Sequence, residues 1–159
     1  MKEVGFKINN CDELVLIDAE DADNVFQWNW CASYRTRKDG SRYVDSVRCT
    51  SRRNKRVKLH RFVYDSPGIV DHINGNPLDC RKANLRAATV SQNKANTRPN
   101  WNKTTKGITM SAGKWMSQIE VRGKKVFLGR FTNPDEAMRK YDEAARRFFG
   151  EYAKTNCVL

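Results

Sequence analysis

The N-terminal part of the chain alternates short apolar runs with polar breaks, a pattern that favours short β-strands. The apolar run at residues 14–17 predicts a buried strand, and residues 21–28 predict a helical turn. Brief β-prone pieces then recur through residue 59, interrupted by the turn residues 38–40, which indicates a small meander. Trp28 and Trp30 are interpreted as core residues, with base stacking as the alternative.

The C-terminal third predicts a β-hairpin followed by an amphipathic helix. Two β-prone runs, 114–121 and 124–129, are separated by Arg122-Gly123, which is typical of a hairpin turn. Asn133 is a predicted helix N-cap with Pro134 in the first helical position, and Gly150 is the predicted end. This helix carries an apolar stripe formed by Ala137, Tyr141, Ala144, Ala145 and Phe148. We expect the stripe to pack on one face of the sheet and to leave the other face open to a ligand.

The length, the N-terminus and the cysteines of the chain argue against a membrane protein, a secreted protein and a Cys-rich zinc protein. The chain has 159 residues, which fits one compact domain or two very small ones. No stretch approaches the roughly 18 apolar residues of a membrane span, and the N-terminus carries acidic residues where a signal peptide needs an apolar core. Its five cysteines include no C-x-x-C pair, which argues against a disulfide framework or a Cys-rich zinc site. We therefore expect reduced thiols and a cytoplasmic location.

The net charge of +12 is distributed unevenly along the chain. Residues 1–24 carry two lysines and seven acidic residues, whereas residues 25–64 carry eleven basic residues and two acidic ones. A solvated basic face would explain one short run, but the excess persists through the later segments. This distribution favours a polyanion partner, and phosphate contacts of this kind are strongly salt-dependent and nearly blind to sequence.

Candidate chemistry lies between residues 60 and 96. Asp71 and His72 end an apolar approach and lead into a turn-forming stretch, residues 73–77. We expect Asp79 to cap a short helical turn at residues 80–83 that leads to Asn84. Residues 89–92 form a capping box, so a helix is expected to begin near residue 90 and to carry Asn93 in its first turn.

These residue types suit phosphodiester hydrolysis. Histidine accepts a proton from water near neutral pH, and aspartate offers the hard oxygen that Mg²⁺ prefers. Adjacent strand residues point to opposite sides, so Asp71 and His72 would flank one phosphate only at a bent strand end. The Asp71-His72 dipeptide alone is weak evidence for a nuclease site, and a purely structural role for His72 is the alternative. The whole set of candidate residues is stronger evidence.

The central segment resembles the HNH nucleases of phage and intron-encoded homing endonucleases, which share a ββα-metal site. The similarity covers residues 59–61 (LHR), 71–79 (DHINGNPLD), 84–86 (NLR) and 91–93 (SQN), with Asn in place of the last His of the family name. The resemblance implies that Asp71 and Asn93 bind one divalent metal, that His72 is the general base, and that Asn84 holds the loop that orients His72. His60 matches a recurrent histidine for which a structural role is expected, with a phosphate contact as the alternative. The first 58 residues also resemble the N-terminal portion of such proteins.

The C-terminal segment resembles the plant ethylene-response-factor (Apetala-type) DNA-binding domain. The similarity includes residues 113–115 (GKW), 127–131 (FLGRF) and 141–145 (YDEAA), and it implies a three-stranded sheet that reads the major groove. Trp115 is expected in the core of this module. The positions that match the DNA-facing residues of the family are Thr109, Ser111, Gln118, Glu120, Lys125 and Phe127. Arginine is expected at three of them, Thr109, Ser111 and Glu120, so base preference is not transferred.

These observations predict an α+β protein with an N-terminal β meander, a central ββα-metal nuclease module and a C-terminal three-stranded antiparallel sheet packed on one helix. The predicted domains are a nuclease domain at 1–97, a basic linker at 98–106 and a DNA-binding domain at 107–159. The predicted function is a site-specific, homing-type DNA endonuclease that uses one Mg²⁺ or Mn²⁺ ion and nicks duplex DNA as a monomer. No membrane and no obligatory protein partner is expected, and the resemblance implies the cytoplasm of a bacterial or phage-infected host cell. Predicted DNA contacts are Arg52, Arg53, Arg81, Arg86, Lys114, Gln118, Arg122, Lys124, Lys125 and Phe127.

Two alternatives remain open. A catalytically inactive DNA-binding regulator would use the same basic surface. An RNA-binding protein would fit the charge and the aromatic content, but the sequence contains no recognised RNA motif.

Overall fold

The computed structural model describes residues 2–50, 55–97 and 105–156. It is a mixed structure of short strands and helices, which confirms the predicted α+β class. Its contacts divide the chain into two compact units, residues 1–87 and 88–159. Arg52, Arg53 and most of the predicted linker lie outside the described residues.

The first unit begins with an antiparallel hairpin of β1 (Glu3–Ile8) and β2 (Cys11–Asp18). Strand β2 contains the predicted apolar run, of which Val15 and Ile17 are fully buried whereas Leu14 is exposed. A 3-10 turn (Ala19–Asp21) and the short helix α1 (Ala22–Val25) follow, so the predicted helical turn is confirmed at a slightly earlier position.

The predicted meander is a three-stranded antiparallel sheet in the order β3-β4-β5. Its strands are β3 (Cys31–Thr36), β4 (Arg42–Thr50) and β5 (Arg56–Lys58). Trp30 is buried before the first of these strands, and its indole N–H donates to the carbonyl of Val25 at 2.8 Å. Trp28 packs against the same core, so both tryptophans are core residues as predicted.

The unit closes with the elements that carry the candidate chemistry. Helix α2 (Leu59–Val63) leads to β6 (Ile69–His72), which pairs with β7 (Leu85–Ala88) in a two-stranded sheet. A 3-10 turn (Lys82–Asn84) precedes β7. Leu59, Val70, Leu78, Cys80 and Leu85 belong to one hydrophobic core together with the buried residues of β2 and β4.

The second unit begins with α3 (Val90–Asn96) and continues with an antiparallel sheet in the order β10-β9-β8. The strands are β8 (Ile108–Ser111), β9 (Lys114–Val121) and β10 (Lys124–Phe131). Arg122 and Gly123 both have positive φ, 50° and 79°, as the predicted two-residue hairpin turn requires.

Helix α4 (Pro134–Phe149) packs on this sheet and is followed by a 3-10 turn (Gly150–Tyr152). The side chain of Asn133 caps it by accepting from the backbone N–H of Asp135, as predicted. Ala137, Tyr141 and Ala145 are buried, and Trp115 packs against them. Phe148, predicted to belong to the apolar stripe, is 46% exposed, and Phe149 packs against the core instead. No helix among the described residues is long and apolar enough to cross a membrane.

Candidate active site

Asp71 and His72 occupy the last two positions of β6, where the strand runs into the loop that returns to β7. Asp71 is buried, and His72 is partly buried. The backbone N–H of Ile73 donates to the carbonyl of Asn84 at 2.8 Å, so the loop is closed directly beyond His72. His72 therefore lies at a strand end whose backbone is held by the pairing of β6 with β7 and by the hydrogen bond from Ile73 to Asn84.

The side chain of Asn84 ties this loop together. Its Nδ2 donates to the carbonyl of Asp79 at 2.8 Å and to Oδ1 of Asn74 at 3.0 Å. Its Oδ1 accepts from the backbone N–H of Asn74 at 3.0 Å. These bonds are what the predicted loop-holding role of Asn84 requires.

Asp79 holds several groups of the same loop. The turn begins at Lys82 with Arg81 in the N-cap position, later than expected, although Oδ1 of Asp79 does accept from the backbone N–H of Arg81 at 3.4 Å. Arg81 donates from Nε to Oδ1 and from Nη2 to Oδ2 of Asp79, both at 2.8 Å. Asn74 Nδ2 also donates to Oδ2 at 2.9 Å. The hydrogen bond from Arg81 is the main cause that lowers the pKa of Asp79. The carboxylate thus remains ionised and is used to shape the loop.

The N-terminal hairpin supports the loop from outside. Leu16 donates its N–H to the carbonyl of Leu78 and accepts from the N–H of Cys80, each at 2.8 Å. Oδ2 of Asp18 accepts from the backbone N–H of Lys82 at 2.7 Å. Strand β2 therefore pairs with the middle of the loop, although the two segments are more than sixty residues apart in sequence.

The imidazole of His72 lies among buried groups. Its Nε2 is 3.8 Å from Sγ of Cys80, and its ring meets the ring of His60 edge to face, with centroids 4.9 Å apart. Burial lowers the pKa of His72, partly opposed by the nearby carboxylates of Asp71 and Asp79. A neutral imidazole is the form that can accept a proton.

Asp71 pairs with Arg86 on the neighbouring strand. Nε and Nη2 of Arg86 each lie 3.1 Å from Oδ2 of Asp71, and both side chains are nearly buried. Arg81 likewise pairs with Asp79 and with Glu3. The guanidinium groups of two predicted DNA contacts, Arg81 and Arg86, are thus engaged within the protein, and their contact with DNA stays a prediction.

Asn93, the other predicted metal ligand, lies in the first turn of α3 in the second unit. Thr89 caps this helix through the predicted capping box: its hydroxyl accepts from the N–H of Gln92, and Oε1 of Gln92 accepts from the N–H of Thr89. The start of the helix, and hence the position of Asn93 on it, is fixed by local sequence.

The donor types of the predicted metal ligands suit a hard cation. Asp71 offers a carboxylate oxygen and Asn93 an amide oxygen, and Mg²⁺ and Mn²⁺ prefer oxygen ligands while keeping several waters. Across residues 2–50, 55–97 and 105–156, no cluster of three His, Cys, Asp or Glu side chains has the geometry of a metal site.

Within the second unit, α3 lies beside the sheet. Nζ of Lys94 pairs with Oε1 of Glu120 at 2.5 Å, so the carboxylate found where the Apetala-type family has arginine is matched by a cation of α3. A cavity of about 560 Å³ is lined by residues of both elements, among them Lys94, Gln118 and Lys125. Phe127 is 60% exposed, and Lys114, Lys124 and Lys125 are exposed as well.

Sequence reasoning missed Lys106, the last residue of the predicted linker. Its Nζ donates to the carbonyls of Lys94 at 3.2 Å and Thr97 at 2.9 Å, and also to that of Ala95. Burial lowers its pKa to about 8. Lys106 thus binds the carbonyl groups that a helix C-terminus leaves unpaired, and nothing in the local sequence indicates this contact.

The central segment is similar to known proteins. Residues 58–95 match the family model of the HNH endonucleases. An uncharacterized HNH endonuclease of Acanthamoeba polyphaga mimivirus is 31% identical over 112 residues, which cover 65% of this chain and 59% of that protein. The chain thus aligns with about three fifths of the length of this viral relative.

Plant proteins match the C-terminal region. A putative dehydration-responsive element-binding protein 2H of Arabidopsis thaliana is 41% identical over 49 residues, which are 30% of this chain and 31% of that protein. Dehydration-responsive element-binding protein 2A of Oryza sativa subsp. indica is 44% identical over 46 residues, which are 28% of this chain and 17% of that protein. The central segment of the chain is therefore similar to HNH endonucleases, and its C-terminal region is similar to the plant dehydration-responsive element-binding proteins.

Proposed function

We propose that the protein is a site-specific DNA endonuclease of homing type that hydrolyses one phosphodiester bond and, as a monomer, nicks one strand. The observation that carries this proposal is the placement of His72, a half-buried imidazole with a lowered pKa, beside Asp71 at a strand end closed by Asn84. The match of residues 58–95 to HNH endonucleases supports it.

In the proposed reaction, His72 takes a proton from the attacking water as the water oxygen forms a bond to phosphorus. The bond from phosphorus to the leaving sugar oxygen breaks, and that oxygen gains a proton from solvent. Asp71 and Asn93 would hold one Mg²⁺ or Mn²⁺ ion, which offsets negative charge on the phosphate oxygens. Asn84 keeps the loop closed, and thereby keeps the imidazole oriented.

Double-stranded DNA is the proposed substrate. The exposed cations and Phe127 of the second unit, together with the charge excess of the chain, support DNA binding. The proposed contacts are Arg52, Arg53, Arg81, Arg86, Lys114, Gln118, Arg122, Lys124, Lys125 and Phe127. The proposed modules remain the nuclease domain at 1–97, the linker at 98–106 and the DNA-binding domain at 107–159.

The test is nicking of a supercoiled plasmid that carries a DNA site selected for binding to the full chain. We expect relaxed circles with Mg²⁺ and none with a chelator. Asp71→Ala and His72→Ala should abolish nicking while binding persists, and Asp23→Ala, which removes an exposed carboxylate of the same unit, should nick like the wild type. Wild-type cleavage by either site variant would overturn the assignment. Binding without any nicking would favour the inactive regulator.

A further inference from the structure

Helix α3, which carries Asn93, is too short to be stable on its own. It spans seven residues, and isolated helices shorter than about 12 residues are marginal in water. The Thr89 capping box fixes its first turn, and the backbone leaves the helix in an extended conformation at Thr97. The carbonyl groups of the last turn therefore call for partners from outside the helix.

Lys106 and the segment after α4 supply such partners. The ammonium of Lys106 donates to the carbonyls of Lys94 at 3.2 Å and Thr97 at 2.9 Å, and also to that of Ala95. A cation at this end of a helix also interacts favourably with the negative end of the helix dipole. The backbone N–H of Lys154 donates to the same Ala95 carbonyl at 3.3 Å. Two segments that follow α3 in the chain thus meet at its last turn.

Asn156 holds the backbone of Lys106 in turn. Its Oδ1 accepts from the N–H of Lys106 at 2.6 Å, and its Nδ2 donates to the carbonyl of Lys106 at 3.0 Å. The N–H of Asn156 donates to Oδ1 of Asp142, a buried carboxylate of α4, at 2.8 Å. A continuous series of hydrogen bonds therefore joins the last turn of α3 to α4, the helix that packs on the three-stranded sheet.

We propose that Lys106 and Asn156 are positioning residues that clamp the last turn of α3 within the second unit and thereby fix the direction in which this helix presents Asn93. Asn93 immediately precedes Lys94, whose carbonyl Lys106 binds, so release of this turn would loosen the backbone that carries the amide. The metal-binding part of the inference rests on the proposed function. The clamp itself rests only on hydrogen bonds within the second unit.

Hydrogen exchange on the full chain, without metal, tests the clamp directly. Lys106→Met keeps the length of the side chain but removes its donors. We expect the backbone amides of α3 to exchange about tenfold faster or more, with those of β10 unchanged. Asn156→Ala should act in the same direction, and Lys106→Arg, which keeps a cation with donors, should restore slow exchange. Lys140→Met, which removes an exposed cation of α4, should leave α3 as in the wild type.

The role in metal binding is measured as the Mg²⁺ dependence of nicking at saturating DNA. Loss of a group that orients a metal ligand typically weakens metal binding at least tenfold, so we expect Lys106→Met to raise the Mg²⁺ concentration for half-maximal nicking by about tenfold. Asn156→Ala should raise it as well. The Kd for DNA should change no more in Lys106→Met than in Lys140→Met, because both variants lose one cation.

The outcomes separate the clamp, the positioning of Asn93 and the proposed function. Wild-type exchange of α3 in both Lys106→Met and Asn156→Ala would overturn the clamp. Faster exchange with an unchanged Mg²⁺ dependence would overturn the positioning of Asn93. A wild type that never nicks bound DNA would refute the proposed function, and the exchange rates would still decide the clamp. If Lys106→Met fails to fold, exchange in Asn156→Ala decides it.

Discussion

The guanidinium of Arg86 lies 3.1 Å from Oδ2 of Asp71, and the two side chains are only 11% and 6% exposed. Arg86→Ala removes the guanidinium from a buried carboxylate, and breaking a buried ion pair in this way is strongly destabilising. We therefore expect Arg86→Ala to lower the free energy of unfolding by about 3 kcal/mol. Urea unfolding measures this loss.

The pair of Arg35 and Asp45 provides the control for that experiment. It has a good N–O distance, 2.7 Å, but the side chain of Arg35 is 67% exposed. Arg35→Ala should therefore cost no more than about 1 kcal/mol. Equal losses of unfolding free energy in Arg86→Ala and Arg35→Ala would show that burial of the Arg86–Asp71 pair does not add to its contribution to stability.

The capping box of α3 makes a second prediction. Thr89→Ala removes the hydroxyl that accepts from the N–H of Gln92, and we expect a loss of about 1 kcal/mol in the free energy of unfolding. Thr89→Ser keeps the acceptor and should stay close to the wild type in the same urea titration. If Thr89→Ala and Thr89→Ser lower the free energy of unfolding equally, loss of the capping hydrogen bond does not explain the destabilisation.

Substitution of Gly107 is expected to cause a steric clash, and Gly113 offers a matched control. Gly107 has a φ of 72°, and a Cβ there would lie 2.2 Å from the ring of Tyr141 and 2.4 Å from the carbonyl oxygen of Gln118. Gly107→Ala should therefore destabilise the protein by about 3 kcal/mol or more and weaken DNA binding by the full chain.

Gly113 has the same φ of 72° with nothing within 4 Å of the position of a Cβ. Gly113→Ala should show only the cost of the left-handed backbone, about 1 kcal/mol. Thermal unfolding of the two variants separates the clash from the strain, and similar melting temperatures would contradict the predicted clash.

His60 makes stability depend on pH. Burial lowers the pKa of His60 from 6.5 to about 3, so the fold favours the neutral ring. The unfolded chain then binds more protons, and the stabilisation is complete above about pH 6.5 and is lost as the pH falls toward 3. From about pH 7 to about pH 5 this loss is about 2 kcal/mol. Over the same pH interval, the free energy of unfolding of His60→Phe should fall by about 2 kcal/mol less than that of the wild type, as measured by urea titrations. An equal fall in the wild type and in His60→Phe would contradict the lowered pKa.

Local sequence signals predicted the elements that depend on neighbouring residues. The hairpin at Arg122-Gly123, the Asn133 cap and the Thr89 capping box were all confirmed, because each depends on residues no more than a few positions apart. Phe148 was assigned wrongly to the buried stripe, because positions at its edge are decided by the packing of the neighbouring turn.

The surroundings of the candidate site could not be predicted in the same way. The contact of Cys80 with His72, the pairing of Arg86 with Asp71 and the burial of Lys106 arise from tertiary packing between separate segments. The spacing of residues along the chain does not predict these contacts. The predicted metal ligands and DNA contacts stay predictions for the experiments described above.

The attachment of the N-terminal hairpin to the loop after His72 has a consequence for protein engineering. The match to the nuclease family begins at residue 58, yet Leu16 and Asp18 supply backbone pairing to residues 78, 80 and 82. A fragment trimmed to the matched segment would expose Cys80 and Leu78 and lose those bonds. Any transplant of this module into another protein should therefore take the leading hairpin along with it.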